Sequence, residues 1–500
     1  MKPCLLFPSR GIDAAAPLPA NAATLTQDLA LEPLFAAMAD GDEFIDAVSR
    51  RVLLAPLLQE GEVIVWRQAV LQDCARQPER LAALRTLAET ALTAESRALR
   101  GAFSRLPESR LKRACLALRI LLPHLRALRE QVSELDTFVS PGWQGLRARV
   151  QQHLGDDFFD KAEQHLAALA FPAGINLCAG LDADSRPGAH RLYPPEPARP
   201  RWQVWLRRLF PARRTAAYSF TIGPRDEAGN RGLSEQRAQG IHEASEVVGA
   251  LVDNVVAFFT SLRAELAFCQ GVLNLQARLK GFGAHCCMPQ MVAQPGICDV
   301  AGLYDVSLAL RLAQPLSGNT VEAAGQALIV ITGANQGGKS TFLRSLGQAC
   351  LMAQAGMPVA ARQASLGLLP GLFTHFRREE DRQMKSGKLD EELARLAGLL
   401  PDLRAGSLLL MNESFAATNE REGSEIAAEI VRALTEHGVR IVFVTHLYAF
   451  ASTLQAEGRK GVLFLRAQRL PDGQRSFLLE PGEPLPTAWG EDLYARIFGA

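Results

Sequence analysis

The chain has 500 residues, 48% hydrophobic and 21% charged, which is enough apolar material for two or three folded domains. A net charge of +1 excludes a global field directed at nucleic acid or membrane, so any such surface has to be local. Nine scattered cysteines, an odd count, argue against a disulfide framework, and no unbroken apolar run reaches the ~18 residues of a membrane span.

In chain order, residues 1–40 read as a lead-in, rich in Ala and Pro over 1–24. The opening MKPCLLFPSR is too short and too interrupted for a signal peptide, so a cytoplasmic protein with reduced thiols and no membrane contact is expected. Residues 41–180 read as a mainly helical core and lever domain. Leu111, Cys115, Leu118, Leu122 and Leu125 recur at three and four, the spacing of one helix face. Arg105, Arg110, Arg113, Arg119, Arg126 and Arg129 decorate the same stretch, either as a solvated helix surface or as a stripe facing DNA.

Residues 181–232 form a Pro-, Arg- and aromatic-rich insertion, whose six prolines over 181–216 exclude a long helix. Trp202, Trp205 and Phe210 stand among Arg199, Arg201, Arg207, Arg208, Arg213 and Arg214. That mixture suits phosphate contact with base stacking, a membrane interface, or a loop docked on its own protein. Helical periodicity resumes from Ser234 to Lys280, so 233–299 reads as one extended helix or two stacked pieces, broken at Gly281 and Gly283. His285-Cys286-Cys287 is either a metal corner without a partner motif or a pair of ordinary thiols. From 300 to 500, short apolar strands alternate with helical stretches, an α/β layer.

The chemistry concentrates in that last part. Ala327 to Thr332 is a β-branched apolar run fit for a buried parallel strand, followed by GANQGGKS, which fits the phosphate-binding pattern GxxxxGK[ST]. Gly333, Ala334, Asn335, Gln336, Gly337 and Gly338 would turn the main chain so that its N–H groups meet phosphate oxygens. Lys339 would neutralise the β- and γ-phosphates of ATP, Ser340 would hold Mg²⁺, and Thr341 is counted with them among the nucleotide-binding residues. A second strand, Ser407 to Met411, ends in Asn412-Glu413. Asn412 takes the place of the usual Asp and could hold metal-bound water without adding charge, while Glu413 stands where a general base would. The expectation is ATP binding with weaker Mg²⁺ dependence or slower hydrolysis. A third strand, Val439 to Val444, ends in Thr445-His446, with His446 placed to sense the γ-phosphate or the attacking water.

Together these pieces resemble the MutS family of DNA mismatch repair ATPases. Thr332 to Thr341 reads TGANQGGKST against the family's TGPNMGGKST, and Ser407 to Gly423 and Thr445-His446 follow the family's spacing. Gln314 to Thr320 is similar to the stretch before the family's P-loop, with Leu316 where an aromatic often stacks on adenine. Val52 to Pro56, Trp66 to Val70 and Phe258 to Met288 resemble the family's helical core and returning lever. Arg475 to Ala500 resembles its last strand and helix.

The resemblance implies an α/β P-loop NTPase domain of ABC type at the C-terminal end, preceded by a mainly α-helical core and lever domain. It implies a homodimer joined through the ATPase domains, in which Ser386 and Lys388 reach the other subunit's nucleotide. It further implies a clamp on DNA gated by ATP and Mg²⁺, with mismatched DNA and repair proteins as partners. Core-like residues begin near position 40, leaving no room for a mismatch-reading or connector domain, so mismatch reading by the family's wedge is not expected. A MutS-like ATPase acting on a protein or RNA partner, and a nucleotide-binding scaffold of slow turnover, are the alternatives.

Overall fold

The computed structural model describes residues 1–12, 16–99, 106–172, 174–181, 187–193, 221–223, 225–292, 299–334, 336–378, 387–470 and 475–485. Up to residue 281 the described chain is almost wholly helical: Ala22–Asp28, Glu32–Ala39, Glu43–Leu53, Gly61–Arg76, Pro78–Leu99, Pro107–Ser133, Pro141–His153, Asp156–Ala168 and Glu227–Gly281. Pro107–Ser133 shows why. Proline at its first turn has no N–H to leave unsatisfied, Glu108 complements the positive helix end, and all five residues of the expected apolar face are buried. The one sheet element here is a hairpin in which β1 (Leu177–Leu181) runs antiparallel to β2 (Pro187–Leu192). Trp202, Trp205, Phe210 and the arginines around them lie outside the described residues.

The chain divides into two units. One comprises Met1, Thr86–Glu134 and Arg147–Thr260; the other comprises Lys2–Arg85, Leu135–Leu146 and Ser261–Ala500. This division does not follow the linear boundaries expected at 41, 181, 233 and 300, because three helices, Pro78–Leu99, Pro141–His153 and Glu227–Gly281, carry residues of both units. Residues 233–281 lie in a single helix of 55 residues. By length and composition alone it is apolar enough to cross a membrane, although charged and polar residues interrupt its apolar stretches.

In the second unit the opening residues are more than a lead-in. Leu5 and Leu6 are fully buried, and the Leu5 N–H donates to the buried Glu265 carboxylate at 2.7 Å. This segment lacks helical periodicity because it packs as irregular, bent chain, with Cys4 left-handed at φ +47°, rather than as one face of a helix.

After residue 289 the second unit becomes α/β. A small sheet has the order β3-β7-β4-β5, from Gln290–Val292, Gln363–Gly367, Asp299–Leu303 and Asn319–Glu322. The larger sheet has the order β12-β11-β6-β10-β9-β8, from Arg475–Pro481, Val462–Arg469, Leu328–Thr332, Arg440–Val444, Leu408–Asn412 and Leu372–Phe376. Its strands are parallel except β12, which turns back on β11. The runs LIVIT, LLLMN and RIVFV are apolar almost throughout because both sheet faces are covered. On one side Met411, Phe443, Phe415, Val431 and Phe450 share a core, with helices Glu420–Glu436 and Tyr448–Ala456 supplying part of it.

Register decides what this sheet can do. Val444 pairs with both Ile331 and Asn412, Asn412 with Phe376, and Thr332 with Arg466. The carboxyl ends of β6, β9 and β10 therefore finish level, on one edge, where ligands of open α/β sheets bind.

Candidate nucleotide-binding site

The loop leaving β6 is shaped by close approach. Gly338 has φ +89°, and a Cβ there would lie 2.9 Å from the Phe477 carbonyl oxygen of β12. A Cβ on Gly337 would lie 2.6 Å from the Ala467 Cβ of β11. Glycine is thus demanded by the hairpin packed on the loop as well as by the loop's own turn. Gln336, at φ +59°, carries the remaining left-handed turn without being glycine. Helix Lys339–Gln354 then starts with Gly338 as its cap, a residue with no side chain to offer the first N–H groups. Those donors and the helix dipole are the usual anion-binding device.

Lys339 is buried, and its Nζ donates to the carbonyl oxygens of Gly333 at 2.8 Å and Ala334 at 2.9 Å. Burial pushes its pKa down to about 8, opposed by Glu413 and reinforced by Arg475. The ammonium thus lies folded over the loop that a polyphosphate would occupy, held by dipoles.

The second strand end meets the first directly. The Ser340 hydroxyl donates to the Asn412 amide oxygen at 2.8 Å, across 72 residues of sequence. These two oxygens suit the shell of a hard cation, but neither brings charge. Among the described residues no group of three or more His, Cys, Asp or Glu could hold a metal, so a magnesium ion here would depend on phosphate oxygens. The same finding removes the metal reading of His285-Cys286-Cys287: Cys286 Sγ sits 3.8 Å from the Tyr304 hydroxyl, and Cys287 bridges by its backbone to Val359.

Glu413 follows in a left-handed conformation, φ +54°, with its N–H tied to the Val444 carbonyl at 2.8 Å. This turn takes the side chain out of the sheet's alternation, where Oε1 meets His446 Nε2 at 3.1 Å and Oε2 lies 3.9 Å from Arg377. The His446 hydrogen bond, then the charges of His446, Lys339 and Arg377, hold the carboxyl below its ordinary range against the effect of burial. A carboxylate ionised at neutral pH is fit to orient water and accept its proton.

Several expected residues are therefore gathered on one edge: Gly333, Ala334, Gln336, Gly337, Gly338, Lys339, Ser340, Thr341, Asn412, Glu413 and His446. Leu316 lines a cavity of about 450 Å³ beside Gly338 and Thr341. Asn335 and Ser386 lie outside the described residues, and Lys388 opens the helix Lys388–Leu399.

Behind the site lies one residue that was not anticipated, His375, and another, Glu392, that the resemblance would have placed with Ser386 and Lys388 at the other subunit's nucleotide. His375, buried next to the carboxyl end of β8, places Nε2 3.0 Å from the Glu392 carbonyl and Nδ1 2.7 Å from the Ser414 hydroxyl. Burial pushes its pKa down to about 4, so the ring is neutral. Nε2 then donates to the Glu392 carbonyl, and the single proton of the Ser414 hydroxyl is shared between Nδ1 and the His375 carbonyl oxygen, 2.8 Å away. The Glu392 carboxylate accepts the Phe415 N–H at 2.8 Å, so it faces its own strand end. Helix Lys388–Leu399 is thereby tied to the turn that carries Glu413. A histidine inside LFTHF was the signal available, since polar groups in buried strands need partners.

Comparison with known proteins agrees with this picture. Residues 59–282 match the family model described as MutS2 N-terminal domain, and residues 329–470 match MutS domain V. The DNA mismatch repair protein MutS of Chloroflexus aurantiacus is 33% identical over 142 residues, 27% of this chain and 15% of that protein. The MutS of Granulibacter bethesdensis is 30% identical over 234 residues, 46% of this chain and 25% of its own length. The Endonuclease MutS2 of Thermus thermophilus is 34% identical over 135 residues, 27% of this chain and 18% of the relative. The chain thus matches a quarter or less of the length of these relatives.

Proposed function

We propose, because this chain belongs to the MutS family, that it is an ATPase of the ABC type whose nucleotide cycle gates a dimeric clamp on DNA. The observation that carries the reading is the meeting of Lys339, Ser340, Asn412, Glu413 and His446 at one sheet edge. Main-chain N–H groups of the loop and the helix start receive the phosphates, and Lys339 leaves its two carbonyl partners for them. Magnesium, when bound, would neutralise phosphate charge, with Ser340 and Asn412 holding its shell. A water oxygen bonds to the γ-phosphorus, the bond from that phosphorus to the bridging oxygen breaks, ADP keeps the bridging oxygen, and the water proton passes to Glu413. His446 keeps the Glu413 carboxylate turned toward the edge.

In the dimer, the segment of Ser386 and Lys388 from one subunit completes the other's site. ATP then favours the closed pair, and hydrolysis releases it. The clamped partner in this reading is DNA, with repair proteins as further partners, in the cytoplasm. Slow turnover is supported by Asn412, which gives Ser340 a neutral oxygen where the usual carboxylate would bring charge.

The test is a titration of duplex, mismatched and branched DNA with ATP, ADP and no nucleotide, at several salt concentrations. The expected result is affinity that changes with the nucleotide and falls with salt. Absence of DNA binding even at low salt overturns the clamp on DNA. Absence of ATP binding overturns the whole reading.

A further inference from the structure

At the far end of the P-loop helix, 16 residues and roughly 24 Å from its start, the second unit holds a cavity of about 260 Å³. A cavity of roughly 150 Å³ already takes up a benzene ring. The apolar wall comes from Phe7, Ile12 and Leu18 of the opening segment, from Val52 and Leu57 around the end of helix Glu43–Leu53, and from Leu351 of the P-loop helix. The opening segment is fixed in place as part of that wall. Leu5 donates to Glu265 and accepts from the Trp66 indole at 2.8 Å, and a Cβ on Gly11 would lie 2.1 Å from the Ser261 hydroxyl oxygen.

The polar side chains on the cavity are Gln354, Arg10, Arg51 and Arg67. Gln354 is spent: its nitrogen donates to the Leu58 and Leu369 carbonyls, and its oxygen accepts the Leu369 N–H. Three guanidiniums remain to face an occupant. Arg67 is only 3% exposed. Its Nε donates to the Leu6 carbonyl at 3.2 Å and its Nη1 to the Ala355 carbonyl at 3.3 Å, while the guanidinium lies 4.2 Å from the centre of the Phe7 ring. Those partners offer partial charge only.

Nη2 of Arg67 makes no hydrogen bond with the described residues, and none of their carboxylates forms an ion pair with Arg10, Arg51 or Arg67. Burial lowers the Arg67 pKa to about 10; the Glu265 carboxylate, beyond ion-pair distance, opposes the shift and Arg10 adds to it. A buried charge is costly unless a counter-charge meets it with hydrogen bonds. An inorganic anion would supply the charge and leave the apolar wall uncovered. An anion with an apolar body satisfies both, and a carboxylate matches the planar fork of a guanidinium.

We propose that this cavity is a binding site for a small organic monocarboxylate, with its carboxylate on Arg67 and its apolar body against Phe7, Leu18 and Leu351. Arg51 and Arg10 add positive charge around the carboxylate. The site is separate from the phosphate loop and shares with it only the helix that ends at Gln354.

The experiment is calorimetry on the full chain with three probes: phenylacetate, phenylacetamide, which has the same body without the charge, and inorganic phosphate, which has charge without the body. Phenylacetate is expected to saturate at one per chain. Phenylacetamide and phosphate should each bind at least about tenfold more weakly, as loss of a charged hydrogen-bonded pair implies. Arg67→Gln should weaken phenylacetate at least about tenfold and leave phenylacetamide within about twofold. If circular dichroism shows that Arg67→Gln does not fold, Arg51→Gln decides, with a loss of about threefold expected for phenylacetate alone. Equal affinity for the acid and the amide overturns the proposal, since the cavity would then be merely apolar. Phosphate binding as tight as phenylacetate overturns it as well, leaving a plain anion site. So does the absence of saturable phenylacetate binding, or a loss in the folded variant that is nil or equal for acid and amide.

Discussion

The helical unit and the sheet edge use positive charge in opposite ways. In the helical unit Arg110 pairs with Glu246 at 2.7 Å, Arg126 with Glu163 at 2.6 Å, and Arg129 with Asp156 at 2.7 Å. Arg126 and Arg129 also lie over the Phe159 ring, and Arg119 donates to the Leu166 carbonyl. At the sheet edge Lys339 is buried with its hydrogen bonds on backbone carbonyls. A guanidinium already facing a carboxylate gains little from a phosphate, whereas a buried ammonium on dipoles gains a full counter-charge. Availability of charge, more than its amount, marks the site; Arg110, Arg119, Arg126 and Arg129 of the arginine stripe already have partners, and Arg105 lies outside the described residues.

The most severe way to break this contrast is Lys339→Ala. Loss of the charged hydrogen bonds should weaken ATP binding at least about a hundredfold, read by calorimetry at neutral pH. Retention of parental affinity would mean that the buried ammonium is structural. Next, Glu413→Gln should slow steady-state hydrolysis by about a hundredfold while ATP affinity stays within about threefold. Equal losses in both would place Glu413 in binding rather than in proton transfer.

Acidity sharpens the contrast further. Burial lowers Lys339 to about 8, so the free protein holds its proton below that pH and loses it above. Phosphate needs the ammonium, and binding above pH 8 must first restore the proton. Affinity should be flat below about pH 7 and fall roughly tenfold by pH 9. A flat profile to pH 9 would show that Lys339 keeps its charge. A smaller effect is expected from Asn412→Asp, which restores charge beside Ser340. The magnesium concentration for half-maximal hydrolysis should drop about fivefold, by metal titration. No change would remove Asn412 from the metal shell. Smallest of all, Arg126→Gln with Arg129→Gln should cost under about 1 kcal/mol per pair in denaturant unfolding and leave the salt dependence of DNA binding unaltered. A shallower salt slope would return those arginines to a nucleic-acid surface.

Much of the site was legible because its parts are short and contiguous. TGANQGGKST states its glycines, cation and hydroxyl within ten residues, next to an apolar run that can only be a buried strand. Asn412-Glu413 and Thr445-His446 were legible as polar pairs closing apolar strands. The approach of Phe477 to Gly338 was not, since nothing within RSFLLEP says which loop its strand packs on. Nor was the inward turn of Glu392, which depends on the helix Lys388–Leu399 packing beside β8 and β9.

By itself the sequence determined the strand types, the helix faces and the phosphate loop, because these follow from apolar spacing and from glycine, proline and cap chemistry within a few residues. Only the tertiary structure decided which strand ends finish level, that Ser340 reaches Asn412, and that a hairpin 140 residues downstream of the P-loop packs a carbonyl against it. Strand order and register are settled by packing over the whole sheet, and a contact between residues far apart in the chain exists only once that packing is complete.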